Sequence, residues 1–115
     1  MTQARDLPLE SGIVEIRTTF GSCQDASACA ERLVAGRLAA CVQVDGPVTS
    51  TYRWQSAVET AEEWRCTCKT TFGRREACVA AIVGAHPFQT PQVTVAPVDA
   101  NAAYAAWVRE SVEAP

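Results

Sequence analysis

The run from Leu38 to Gln55, L-A-A-C-V-Q-V-D-G-P-V-T-S-T-Y-R-W-Q, constrains the fold more than any other part of the chain. Val42, Val44, Val48, Thr49, Thr51, Tyr52 and Trp54 are β-branched or aromatic residues that suit a pleated surface. Gly46-Pro47 interrupts them, which marks either a tight turn or a bulge in one long strand. The downstream residues favour the bulge. A second strand-like run, Glu63 to Thr71, comes after a polar linker at Ser56 to Glu62, so the turn is expected in that linker. A single strand from Cys41 to Trp54 would reach roughly 40–45 Å at about 3.3 Å per residue. A compact domain of this length is only about 35 Å across. The far part of the hairpin must then project beyond its own domain. A projecting edge that carries Tyr52 and Trp54 invites partner strands, so self-association is expected.

The rest of the chain supplies one core. Its 115 residues are 48% hydrophobic, enough for a single domain, read as 12–112 after a loose tail at 1–11. Net charge is −3, which builds no basic field for nucleic acid or an anionic membrane. No stretch is apolar for long enough to span a bilayer. The start, M-T-Q-A-R-D-L-P-L-E-S-G, carries no apolar leader. The six cysteines therefore read as reduced core thiols of a cytoplasmic protein rather than as a disulfide framework. Cys66 and Cys68 alternate on one strand and are poorly placed to bridge.

Taken in order, Gly12 to Thr19 is a strand with Val14, Ile16 and Thr18 on one face and Glu15, Arg17 and Thr19 on the other. Ser22 or Asp25 caps a helix bearing Ala26, Cys29, Ala30, Leu33 and Val34 at helical spacing, ended by Gly36. On the return strand Trp64, Cys66, Cys68 and Thr70 share one side, Arg65, Thr67, Lys69 and Thr71 the other. Gly73 to Ala85 is a second helix with Cys78, Ala81, Ile82 and Ala85 along one stripe. Gln92 to Val98 is the last strand, and Asn101 caps a final helix whose Tyr104, Trp107 and Val108 are expected to face inward. The order β-α-β-β-α-β predicts an α+β ferredoxin-like sandwich with helices on one face. The opposite face carries Glu15, Arg17, Gln43, Arg65, Lys69 and Thr94. It is either solvated or buried between subunits as paired charges, and the projecting hairpin favours the second.

Four ordered segments give this reading a family. L-A-A-C-V at 38–42, Y-R-W at 52–54 with C-K-T-T at 68–71, H-P-F-Q-T-P-Q at 86–92 and the ending A-P-V-D-A-N-A-A-Y-A-A-W-V resemble the CutA family of divalent-cation tolerance proteins. The resemblance covers about residues 13–112. It implies a homotrimer similar to the PII signalling proteins, with long hairpins paired between neighbours. It also implies a cleft between subunits, which by matching position holds Cys41, Tyr52, Trp54, Lys69 and His86. The family is associated with copper binding and cation tolerance, with no settled catalytic activity.

This chain departs from the family pattern at several candidate ligands. Where copper-binding members carry a thiol on the first strand, a histidine before the H-P histidine and a glutamate after the Q-T, this chain has Arg17, Ala85 and Gln92. A first-row metal site needs three or four N, S or O ligands. His86 is the sole histidine, and with Cys41 it is what remains to hold a divalent cation such as copper. The same histidine also fits a turn residue whose ring makes structural hydrogen bonds. Phe88 replaces the tyrosine of the family's H-P-Y turn. In a second reading, Arg17 and Lys69, with Arg65, form a cationic cleft for a small anionic metabolite. A third makes Cys41 and His86 a nucleophile–base pair, but no orienting group, G-x-S-x-G or phosphate loop accompanies them. A binding or signalling trimer that does not catalyse is therefore expected.

Overall fold

The computed structural model describes residues 12–113, so the tail expected at 1–11 lies outside the described residues. The elements are β1 (Ile13–Phe20), α1 (Cys23–Ala35), β2 (Cys41–Trp54), β3 (Ala57–Thr70), a 3-10 turn (Phe72–Arg74), α2 (Arg75–Ala85), β4 (Thr94–Val98) and α3 (Ala102–Val112). The four strands form one antiparallel sheet in the order β2-β3-β1-β4, the ferredoxin-like arrangement with an added helix.

Local signals set the boundaries. The Ser22 hydroxyl accepts the Asp25 backbone N–H at 3.1 Å and starts α1, a cap typically worth about 1 kcal/mol. Gly36 ends it. Thr71 caps the 3-10 turn through the Arg74 N–H, so α2 begins at Arg75, two residues after the expected Gly73. The Thr70 hydroxyl donates to the Leu38 carbonyl at 2.7 Å and pins the approach to β2. Asn101 holds the N-cap position of α3, yet its side chain makes no capping bond.

The main core lies between the sheet and the pair α1, α2. Val14, Ile16 and Phe20 of β1 and Cys66 and Cys68 of β3 meet Ala26, Cys29 and Leu33 of α1 and Cys78 and Ile82 of α2. Each fully buried large side chain here contributes on the order of 1.5–3 kcal/mol. Four of the six cysteines are core residues, but Cys23 is exposed and Cys41 only half-buried, so the expectation of six core thiols fails at these two. Val34 and Ala85 also face out, being the flanks of helices one layer thick.

Helices do not keep to one face. α3 lies on the opposite side of the sheet, where Ala105 and Val108 close over Ile13, with Val98, Ala100 and Tyr104 around them. Trp107, expected inward, is 45% exposed, because the buried stripe of α3 runs through Ala105, Val108 and Val112 instead. Two arginines from elsewhere complete the end of this helix. Arg37 donates to the Ser111 and Glu113 carbonyls at 3.3 Å each, and Arg74 donates to the Val112 carbonyl at 3.0 Å. Cations are favourable at a helix C-terminus, where carbonyls lack intrahelical partners.

The hairpin is longer than expected on its return side. Ser56 to Glu62 is not a linker. The turn is Gln55-Ser56 alone, both residues left-handed at φ 48° and 70°, and β3 starts at Ala57. Ala57 to Glu63 pair in unbroken register with Trp54 to Val48. Cross-strand pairing here outweighs the weak strand preference of Ala and Glu. The molecule measures 49 × 35 × 21 Å with a radius of gyration of 15.4 Å, against about 13 Å for a compact domain of its length. Every residue from Thr51 to Thr60 is exposed.

Candidate functional site

β2 bulges between Asp45 and Val48, and this decides which residues share a surface. Below the bulge Val42 and Val44 pair with Cys68 and Cys66 and point to the helices. Above it Val48, Ser50, Tyr52 and Trp54 pair with Glu63, Ala61, Glu59 and Ala57. Those partners lie at odd positions of β3, the side that carries Arg65, Thr67 and Lys69. Without the inserted residue, alternation would send Tyr52 and Trp54 to the helix side. Gly46 makes the bulge feasible: its φ is +153°, and a Cβ there would lie 2.8 Å from Trp64 Cδ1.

The open side of the sheet therefore holds two groups. At the α3 end, Cys41 faces Lys69 across β2–β3 and Lys69 faces Glu15 across β1–β3. Glu15 bonds both cations, Lys69 Nζ at 3.5 Å and Arg17 Nη2 at 3.5 Å. Lys69 Nζ also lies 6.0 Å from the centre of the Tyr104 ring, an arrangement favourable for a cation. Arg65 makes a two-pronged pair with Asp45, at 3.2 and 2.7 Å. Its guanidinium holds the Asp45 carboxyl below the usual carboxylate range. The three cations of the expected anion cleft are thus each engaged by a carboxylate.

At the ribbon end, Tyr52, Trp54 and Phe88 line a groove of about 620 Å³ over Thr19, with Glu59 and Glu63 along its wall. His86 lies beside this groove but not in it. Its Nε2 bonds the Thr19 carbonyl at 2.7 Å, its Nδ1 accepts the Phe88 N–H at 3.2 Å, and its ring stacks on Phe20 at 4.3 Å. Both ring nitrogens are committed to the backbone, Nδ1 to the Phe88 N–H and Nε2 to the Thr19 carbonyl. Cys41 is far from it: Lys69 and Glu15 mark its level on the sheet, while Thr19 marks the level of His86, about 13 Å along the strand and two strands away. Within one chain the two do not form a nucleophile–base pair.

Comparison with known proteins gives this arrangement its context. The family model for the CutA1 divalent ion tolerance protein matches residues 14–111. The chain belongs to the CutA1 divalent ion tolerance family. It is 28% identical over 113 residues to the divalent-cation tolerance protein CutA of Salmonella newport strain SL254, covering 96% of each chain. Among solved structures, CutA1 from Ehrlichia chaffeensis superposes with a TM-score of 0.85 at 26% identity, over 90% of this chain and 98% of that one. CutA from Synechococcus elongatus PCC7942 does so with a TM-score of 0.84 at 31% identity, over 90% and 92%.

Within this CutA1 fold, the donor set does not fit a metal centre of the family type. Among the described residues no three His, Cys, Asp or Glu side chains converge. His86 has no nitrogen to spare, and Arg17 puts its charge next to Glu15. The cysteines offer no buried alternative, since burial pushes Cys29 up and pushes Cys66 up to about 12. A hydrogen bond with Cys78, then burial, raises Cys68 as well, and the same bond lowers Cys78. Cys29, Cys66 and Cys68 therefore stay protonated at neutral pH. Glu59, Glu63 and Gln89 line the groove although residue type alone does not mark them as site residues. The signal for the two glutamates is their spacing in E-T-A-E-E at 59–63, four residues apart and so on one side of the return strand as it continues towards the tip.

Proposed function

We propose that the chain works as a non-enzymatic homotrimer of the divalent-cation tolerance class, binding or signalling in the cytoplasm, with its subunits joined through the projecting ribbon. The observation that supports this most is the ribbon itself. It stands clear of the core, its outer strand β2 is a free sheet edge, and it exposes Tyr52 at 41%, Trp54 at 37% and Val58 at 65%. A long exposed apolar edge is a hazard in a monomer and an interface in an oligomer. Family membership supports the cation-tolerance role. A free thiol state for all six cysteines suits a reducing compartment. The donor set argues for a role in tolerance that does not run through a copper centre on His86.

Sedimentation in dilute buffer tests the assembly: a particle of three times the 12.3 kDa chain mass is expected, and a single-chain mass would overturn the proposal. Calorimetry with Cu(II) and Zn(II) tests the metal side. Tight uptake abolished by a Cys41→Ala/His86→Ala double variant would restore direct chelation.

A further inference from the structure

The cations on the open face of the sheet, Arg17, Lys69 and Arg65, are each engaged by a carboxylate. At the base of the molecule Arg37, Arg74 and Arg109 are not: among the described residues none of the three forms an ion pair. All three meet the last turn of α3. Arg109 belongs to that turn, Arg37 reaches the Ser111 and Glu113 carbonyls, and Arg74 reaches the Val112 carbonyl between them. Glu110 and Glu113 lie on the same stretch of helix, yet neither pairs with a guanidinium. This base is the end of the sheet away from the ribbon. Arg37 leads into Cys41 and Arg74 follows Thr70, whereas the ribbon tip lies roughly 40 Å off along β2.

A helix C-terminus carries only about half a negative charge. Three guanidiniums exceed what it needs. The backbone also holds Arg37 where a side chain is unusual. The Leu38 N–H bonds the Leu33 carbonyl and the Arg37 N–H bonds the Val34 carbonyl, which closes α1 with Arg37 left-handed at φ 58°. Glycine is the usual residue at that position. An arginine brings five N–H donors. Arg37 uses Nη1 on the α3 carbonyls and Arg74 uses Nε, so both forks keep donors with no acceptor among the described residues. Arg37 is exposed and Arg74 half-buried, while Arg109 Nη1 is buried without a partner. Because Arg37 and Arg74 bond carbonyls of successive residues, their guanidiniums are neighbours. Two forks side by side suit an anion with three oxygens to share, where a lone carboxylate answers one fork only.

We propose that Arg37 and Arg74 bind a phosphate group, free or carried on a small metabolite, between their guanidiniums at the end of α3, with Arg109 adding charge from the same turn. This goes beyond the proposed function and rests neither on the trimer nor on the ribbon.

Titration calorimetry and thermal melting of the full chain at constant ionic strength test it with inorganic phosphate, glycerol 3-phosphate and acetate. Saturable phosphate binding, one per chain, with a rise in melting temperature is expected. Acetate should bind at least roughly tenfold more weakly, about 1.4 kcal/mol. Arg37→Gly suits the left-handed backbone, so the variant should fold and still lose at least roughly tenfold in phosphate affinity. Arg74→Lys keeps the charge but not the fork and should also weaken phosphate. Arg32→Gln removes an equal charge from the exposed face of α1 and should bind like the parent. Tighter binding of glycerol 3-phosphate than of inorganic phosphate supports the site and assigns a metabolite; the reverse order supports it and assigns the free ion. The proposal is overturned if phosphate gives no saturable heat, if acetate binds as tightly, if the Arg37 and Arg74 variants bind like the parent, or if Arg32→Gln loses as much as they do. A single-chain mass beside normal phosphate binding would sink the trimer and leave this site standing.

Discussion

The two halves of the β2–β3 hairpin are made of similar strand and behave as different materials. Below the bulge, Cys66 and Cys68 are fully buried under two helices, and Thr70 is tied to the Leu38 carbonyl. Above it, ten consecutive residues from Thr51 to Thr60 are exposed and no helix covers either face. The backbone pairing continues through both. Hydrogen bonding along a ribbon thus does not by itself make a stable domain. A two-stranded ribbon without a packed face is marginal in water. The lower half is held by its core, and the upper half is available for other surfaces.

The sharpest way to break this contrast is to truncate one side chain in each half. Ile16→Ala, beneath the helices, should cost about 2–5 kcal/mol of unfolding free energy by denaturant titration. Val58→Ala on the ribbon should change the stability of the isolated chain by no more than about 0.5 kcal/mol. Trp54→Ala should likewise leave the core intact but weaken assembly, read as a lower sedimented mass on dilution. A variant that kept its mass at low concentration would contradict the ribbon as the interface.

The hinge between the halves comes next in size. Gly46→Ala forces a side chain into a left-handed backbone and against Trp64, and should destabilise by about 1–3 kcal/mol. Because the bulge also sets the phase of Tyr52 and Trp54, assembly should weaken with it, read as a lower sedimented mass on dilution. Thiol labelling of the native protein gives a smaller and more graded readout. Cys23 should react fast and Cys41 more slowly, while Cys29, Cys66, Cys68 and Cys78 should wait for unfolding. Four labels taken up at the fast rate would refute the buried-thiol core.

The smallest effect is expected from acid. Arg65 lowers the folded-state value of Asp45 below its unfolded one, so the pair contributes stability above pH 3.8 that is lost as pH falls through the lowered value. Asp45→Asn should flatten the stability profile in that acid window, with its small deficit seen at neutral pH and vanishing as the parent's Asp45 is protonated. Both groups are open to solvent, which keeps the effect shallow.

Strand phase makes much of this fold readable. Val14, Ile16, Cys66 and Cys68 alternate cleanly, and the helices follow from Ala26, Cys29 and Leu33 and from Cys78 and Ile82. The bulge is readable too, since Gly-Pro falls inside a run of β-branched residues. The turn is not, because Ala57, Glu59, Ala61 and Glu62 have poor strand propensity and Gln-Ser is an unusual pair for two left-handed positions. Trp107 misleads because i, i+3, i+4 spacing does not say which of two adjacent stripes is buried. The candidate site is only half legible. Residue types mark Tyr52, Trp54 and Phe88, and their common groove emerges in the structure. Within one chain Cys41 and His86 lie at different levels and two strands apart, because a motif carries no information on distance across a sheet.

The tip of the ribbon has one further consequence. Gln55 and Ser56 both adopt positive φ without being glycine, at the end of a segment that no core supports. Alone, such a tip frays first; docked on a neighbour, it is ordered by the contact. In the proposed trimer, ordering of the tip and association of subunits then share one equilibrium. Dilution and gentle warming should loosen the same ten residues, and each subunit that joins should stiffen the ones already there.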